Sequence, residues 1–257
     1  MNLLLNVSNL QGYKSHSQIA RVITERWMAD NIFCPHCGRL HIEHLPNNSP
    51  VADFLCPDCR NEYELKSKQG SFGKKINDGA YATMIERITS NNNPDFFVLD
   101  YSLKDEVIKN LALVPKYFFV PEIIEKRKPL PPNARRAGWI GCNILYDRIP
   151  EQGKIHIVVN GKVEDIGKVV EKTQASQKLS VTNIDNRGWL MDTLMCVNSL
   201  KFDTFTLDDM YEFAEILAVK HPQNNNVKPK IRQQLQMLRD KGVIEFVRRG
   251  QYRKVRE

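Results

Sequence analysis

The spacing of apolar residues changes several times along this chain, and each change marks an element. Between Ser15 and Ala29, Ile19, Val22, Ile23 and Trp27 recur at helical spacing and predict a helix. Val51 to Leu55 and Glu62 to Ser67 instead alternate apolar with polar residues. They predict two adjacent antiparallel strands joined through the turn-forming Cys56-Pro-Asp-Cys59. Gly70 to Gly79 reads as a polar loop, and Tyr81 to Ser90 as a second helix. Phe96 to Tyr101 and Leu111 to Val114 are short apolar runs bounded by turns, as expected of central strands. Pro115 to Pro132, with its run from Lys126 to Pro132, reads as a Pro-rich basic connection. Ile155 to Val159 predicts a strand that turns back at Asn160-Gly161. Strands interleaved with helices in this way fit an α/β (α+β) core.

Apolar density falls from about Gly161 to Asp185, which divides the chain into residues 1–183 and 184–257. The second part has its own pattern. Trp189 to Val197 predicts one helix, Thr206 to Leu217 a second capped by Thr206 with acids in its first turn, and Lys228 to Lys241 a third that ends before Gly242. Val243 to Val247 and Gln251 to Val255 flank Arg248-Arg-Gly250 as a hairpin. Three helices and a hairpin make a small winged helix.

Four of the six cysteines form two C-x2-C pairs, Cys34/Cys37 and Cys56/Cys59, with 18 residues between them. That spacing fits two knuckles closing one tetrahedral thiolate site. Zinc is the expected metal, although iron accepts similar ligands, and a site closed by four thiolates has a structural role. Cys142 and Cys196 sit in apolar surroundings and read as core thiols.

Around the second knuckle stand Asp53, Glu64 and Lys66, in a D-x10-E-x-K arrangement. Two residues apart on a strand, Glu64 and Lys66 share a face, and Asp53 on the partner strand can converge on them. Paired carboxylates persist by sharing a hard cation such as Mg2+, and a neighbouring lysine can orient water or stabilise charge on a phosphate. A solvated strand of alternating charge fits the same triplet, so the rest of the chain has to decide.

The net charge of +7 points to a polyanionic partner. No apolar run approaches the roughly 20 residues that span a bilayer, and the stretch Met1 to Val7 lacks a basic n-region and is too short for a signal peptide, so a cytoplasmic protein with reduced thiols is expected.

Beyond the triplet, seven stretches carry a resemblance: Tyr13 to Arg21, Pro50 to Phe54, Glu64 to Lys68, Asn77 to Met84, Arg135 to Asn143, Phe205 to Tyr211 and Lys230 to Asp240. In order and spacing they resemble the DpnI-type restriction endonucleases, PD-(D/E)xK nucleases that cut adenine-methylated GATC sites in double-stranded DNA. The resemblance implies a Mg2+-dependent type II enzyme that acts as a monomer. It assigns catalysis to Asp53, Glu64 and Lys66, Mg2+ binding to Asp53 and Glu64, and structural zinc to Cys34, Cys37, Cys56 and Cys59. Two further classes stay in view, a catalytically inactive methyl-DNA reader or zinc-containing transcription regulator, and a repair or structure-specific nuclease.

From Lys220 to Glu257 eleven lysines and arginines stand against three acids, a balance of +8, so the basic end of the winged helix is expected on DNA. A recognition helix would offer Lys230, Gln233, Gln234 or Gln236 to base edges, while Arg248, Arg249 and Arg253 on the wing would meet phosphates. In the first part Arg135 and Arg136 are placed to hold phosphates beside Trp139, whose indole is a dry contact for an adenine methyl or a core residue beside Ile140. Burying one methyl contributes only about 0.8 kcal/mol. Strong discrimination therefore needs several reads, for example one in each domain.

Overall fold

The computed structural model describes residues 1–8, 15–46, 52–90 and 92–255. Tyr13, Lys14, Pro50 and Val51, which belong to expected features above, lie outside them, as do Arg256 and Glu257. Helix α1 (His16–Asn31) begins where Ser15 accepts a bond from the Gln18 amide, and it buries Ile23, Trp27 and Met28. Then come β1 (Glu43–His44), β2 (Phe54–Leu55), β3 (Glu62–Gln69), β4 (Lys75–Ala80), α2 (Tyr81–Thr89), β5 (Asp95–Ser102), β6 (Val107–Val114), β7 (Ile124–Lys126), β8 (Gly141–Leu145), β9 (Ile155–Val159), β10 (Lys162–Val163) and α3 (Ile166–Gln177).

Seven strands form the central sheet in the order β1-β2-β3-β5-β6-β9-β10, with β3 parallel to β5 and the other pairs antiparallel. A parallel pair needs a crossover, and β4 with α2 supplies it. Strand alternation sorts the two faces. Tyr63, Leu65, Phe97 and Leu99 pack towards Trp27 and Met28 of α1 and Val169 of α3. Phe96 and Val98, beside Glu64 and Lys66 in the β3–β5 register, point the other way, towards Ile76, Met84 and Ile144. On that side lies a second sheet, β4-β8-β7.

The C-terminal part consists of α4 (Ile184–Ser199), β11 (Thr204–Thr206), α5 (Leu207–Tyr211), α6 (Ala214–Lys220), α7 (Val227–Asp240), β12 (Ile244–Arg248) and β13 (Gln251–Lys254). The strands pair as β11-β13-β12, the wing of a winged helix. Its core residues Leu190, Leu194, Leu235 and Leu238 join one hydrophobic cluster with Phe118, Phe119 and Val120 of the first part. Buried Arg187 donates to the carbonyls of Phe119 (3.3 Å) and Val181 (3.0 Å), and the amides of Gln152 and Asn198 bond reciprocally.

Four expectations about elements are corrected. The loop expected over Gly70 to Gly79 contains β4, because Ile76 is buried as a strand residue of the second sheet. The connection from Pro115 to Pro132 holds two 3-10 turns and β7, with Ile123 and Ile124 packed in the core. The stretch of low apolar density contains α3, capped by Asp165. The helix expected over Thr206 to Leu217 is two, α5 and α6, each packed on α7. The Asn160-Gly161 turn, both residues at positive φ, and the buried Cys142 and Cys196 agree with expectation. Burial pushes these thiols up to about 12 and about 11 respectively.

Candidate active site and metal centre

Strand β3 organises the acidic cluster. Just ahead of β2, the Asp53 amide donates to the Tyr63 carbonyl at 2.9 Å, and the Asp53 carboxylate accepts from the Leu65 amide at 2.8 Å. The side chain thus replaces a carbonyl in the ladder and is fixed beside Glu64. Lys66 Nζ lies 2.5 Å from Glu64 Oε1, on the face that period-two geometry assigns to both. Arg87 of α2 reaches the other Glu64 oxygen at 3.5 Å. Lys66 also bonds Asp78 of β4, a residue that the D-x10-E-x-K reading did not single out. Its signal was faint: Asp78 follows buried Ile76 by two positions, which puts a carboxylate on the inward face of a strand.

Asp53, Glu64 and Lys66 open into a cleft of 540 Å3 lined also by Arg21, Thr24 and Asn77, among others. Burial raises the Glu64 carboxyl above its ordinary range; Lys66 opposes this shift, and the charges of Asp78 and Asp53 reinforce it. For Lys66, burial alone would lower the ammonium, but Glu64 and Asp78 outweigh it and the net shift is upward. The cleft is therefore rich in carboxylate oxygen, the donor type of a hard divalent cation.

The knuckles meet. The ligand atoms of Cys34, Cys37, Cys56 and Cys59 all lie within 4.8 Å of one another, so this four-cysteine cluster could hold a metal such as zinc. Each knuckle closes alike, with Gly38 donating to the Cys34 carbonyl and Arg60 to the Cys56 carbonyl, both from positive φ. The Tyr63 hydroxyl is 3.0 Å from Cys34 Sγ, and the Asn61 amide donates to Cys59 Sγ at 3.2 Å. Between the first pair, His36 meets buried Asp95 at the head of β5, 2.6 Å away. The second knuckle is the β2–β3 connection itself, so the cluster and the acidic cleft share a strand.

The residues proposed for DNA lie elsewhere. Arg135 and Arg136 are exposed, and the Arg136 guanidinium lies 4.5 Å from the centre of the half-buried Trp139 ring. The indole edge packs over Gly141, where a Cβ would approach it to 2.7 Å. In the winged helix Gln233 and Gln236 are exposed on α7, but Gln234 is a correction: it is fully buried with Ile231, Leu235 and Leu238 and does not reach a base edge. Lys230 is half-buried and donates to Asn186 at 2.8 Å. On the wing, Arg248 bonds Gln251 and Arg253 pairs with Glu245, whereas Arg249 is exposed at the turn. No helix is long and apolar enough to cross a membrane among the described residues.

Comparison with known families gives two matches that divide the chain near its fall in apolar density. The DpnI family, described as the Dam-replacing family, matches residues 1–182, and the DpnI C-terminal domain, described as the Dam-replacing HTH domain, matches residues 185–254. With both parts of its length matched in this order, the chain belongs to the DpnI, or Dam-replacing, family.

Proposed function

We propose that this protein is a Mg2+-dependent restriction endonuclease that hydrolyses both strands of DNA at adenine-methylated GATC sites. The observation that carries the reading is the convergence of Asp53, Glu64 and Lys66 in one cleft of a chain that belongs to the DpnI family. Asp53 and Glu64 would hold the cation through carboxylate oxygens. When bound, it supplies a lowered water pKa and Lewis acidity towards the scissile phosphodiester. Lys66 brings an ammonium to the same face, suited to stabilise charge that develops on the phosphate. Cys34, Cys37, Cys56 and Cys59 would hold zinc as a brace, since a closed thiolate site keeps no position open for substrate.

Recognition is divided between the two parts. Arg135 and Arg136 would meet phosphates while Trp139 gives a methyl group an apolar contact. From the winged helix, Gln233 of α7 would read bases and Arg249 would meet the backbone, with Lys230, Arg248 and Arg253 able to join by exchanging their present partners for phosphate oxygens. The test is to incubate the protein with methylated and unmethylated plasmid, with and without Mg2+. Cutting of the methylated plasmid alone, in Mg2+ alone, is expected, and Lys66→Ala should lose cutting but keep binding. Equal cutting of unmethylated plasmid would refute methyl direction. Binding to methylated DNA with no cutting would leave the inactive reader or transcription regulator.

A further inference from the structure

The lysine of the triplet has two acidic neighbours, and only one of them belongs to the D-x10-E-x-K pattern. The other, Asp78, comes from the second sheet. It is more enclosed than either member of the pair it joins, with side-chain exposure of 7% against 15% for Lys66 and 18% for Glu64. It shares the inward side of β4 with Ile76, and the β4–β8 register shifts between Asp78 and Ala80. Irregularities of this kind re-aim a side chain beside a site. Asp53, Glu64 and Asp78 do not converge on one point: among the described residues, only the four cysteines bring three or more ligand atoms within 4.8 Å of one another. Lys66 Nζ stands between Glu64 and Asp78, bonded to both.

This geometry sets a competition. Glu64 Oε1, an oxygen proposed to bind the cation, is occupied by the Lys66 ammonium at 2.5 Å. The ammonium and a divalent cation repel one another while drawing on the same carboxylate, so the ammonium held there weakens the cation's binding. Asp78 offers the ammonium another carboxylate, anchored on a different sheet and untouched by the exchange.

We propose that Asp78 is a positioning residue that holds Lys66 against the second sheet and thereby releases Glu64 to the cation. The inference rests on the proposed Mg2+ site. Without the Asp78 charge, Lys66 leans on Glu64 and the cation binds more weakly. Without Lys66 as well there is no competitor, so the effect of Asp78 disappears.

Titration calorimetry of Mg2+ into the full-length, zinc-loaded protein tests this with Asp78→Asn, Lys66→Met and the double variant, all in the absence of DNA. Asp78→Asn should weaken Mg2+ binding by about threefold to thirtyfold, within the range of coupling between residues in contact. In the Lys66→Met background the same change should matter less than about twofold, since distant or uncoupled effects are small. Asp78→Glu, which keeps the charge, should stay close to wild type and controls for misfolding of the asparagine variant. With DNA, Asp78→Asn should lower kcat and leave KM for the methylated duplex unchanged. If Asp78→Asn weakens Mg2+ equally in both backgrounds, Asp78 is itself a ligand and the inference is wrong. If it changes neither binding nor kcat, Asp78 is a bystander. A wild type that neither binds Mg2+ nor cuts would overturn the proposed function and this inference together, whereas the two preceding outcomes overturn the inference alone.

Discussion

Replacing Tyr63 by Phe removes one oxygen atom at the place where the cysteine cluster meets the acidic cleft. The hydroxyl lies 3.0 Å from Cys34 Sγ, and the residue is fully buried. The ring is stacked on Phe97 with centroids 4.9 Å apart, so phenylalanine keeps the packing and loses only the bond. A hydrogen bond to a charged acceptor contributes about 1.5 to 3 kcal/mol, and outer partners of metal ligands typically change metal affinity by about 10- to 100-fold. The two figures agree, because tenfold is about 1.4 kcal/mol. For a chain of this size about 2 to 4 °C of melting temperature accompanies each kcal/mol, so a loss of roughly 3 to 12 °C is expected. Competition for zinc with a chromophoric chelator measures the affinity, and thermal unfolding with and without chelator measures the coupling to stability. Glu64 is the next residue, on the opposite face of β3, so cleavage at saturating zinc should remain near wild type. A Tyr63→Phe protein that binds zinc within twofold of wild type and melts at the same temperature would refute the assigned role of this hydroxyl.

Three other outcomes are expected. Trp139→Ala should reduce the preference for methylated over unmethylated duplex by about fourfold for each methyl contacted, the equivalent of about 0.8 kcal/mol, with little change in binding to unmethylated DNA; fluorescence anisotropy on the two duplexes measures both. Arg249→Ala should weaken binding to all sequences alike and make the slope of log K against log salt shallower by about 0.9, the value for one phosphate contact. Asp192 of α4 is partly buried, which opposes its ionisation, but bonds from His221 and Lys220 hold its carboxyl below the usual range. A depressed acid contributes stability that is present above the unfolded pKa and lost as pH falls through the folded one. Asp192→Asn should therefore cost about 1 to 3 kcal/mol between pH 5 and 8, a gap from wild type that closes below about pH 4 in urea titrations.

What the sequence makes legible is whatever a period or a spacing encodes. Glu64 and Lys66 follow from period two on a single strand, and the knuckles from spacing alone. Asp78 was hidden because its relation to Lys66 crosses from one sheet to another, and no spacing encodes that. Helix α3 was hidden by the polarity of its inward face: Thr173 and Ser176 are buried there, their hydroxyls bonded to the carbonyls of Val169 and Thr173. Tyr117 completes the arrangement through its bond to Ser176, so the helix docks on hydroxyl groups where an apolar stripe was sought. The assignment of Gln234 to bases had a signal against it. Positions 231, 234, 235 and 238 trace one helical stripe, and three of them are Ile or Leu.

The hydrophobic cluster that runs from Phe118 and Phe119 into α4 joins the winged helix to the first part of the chain. A DNA-binding module on a slack tether lets the duplex choose the angle of approach. Here α7 and the acidic cleft are joined through one hydrophobic cluster, so under the proposed function a duplex engaging both would have to fit the spacing that this joint sets. Cutting the chain before α4 would expose the greasy half of that joint on both fragments. The two halves therefore share one apolar joint, although their matches are to two separate domains.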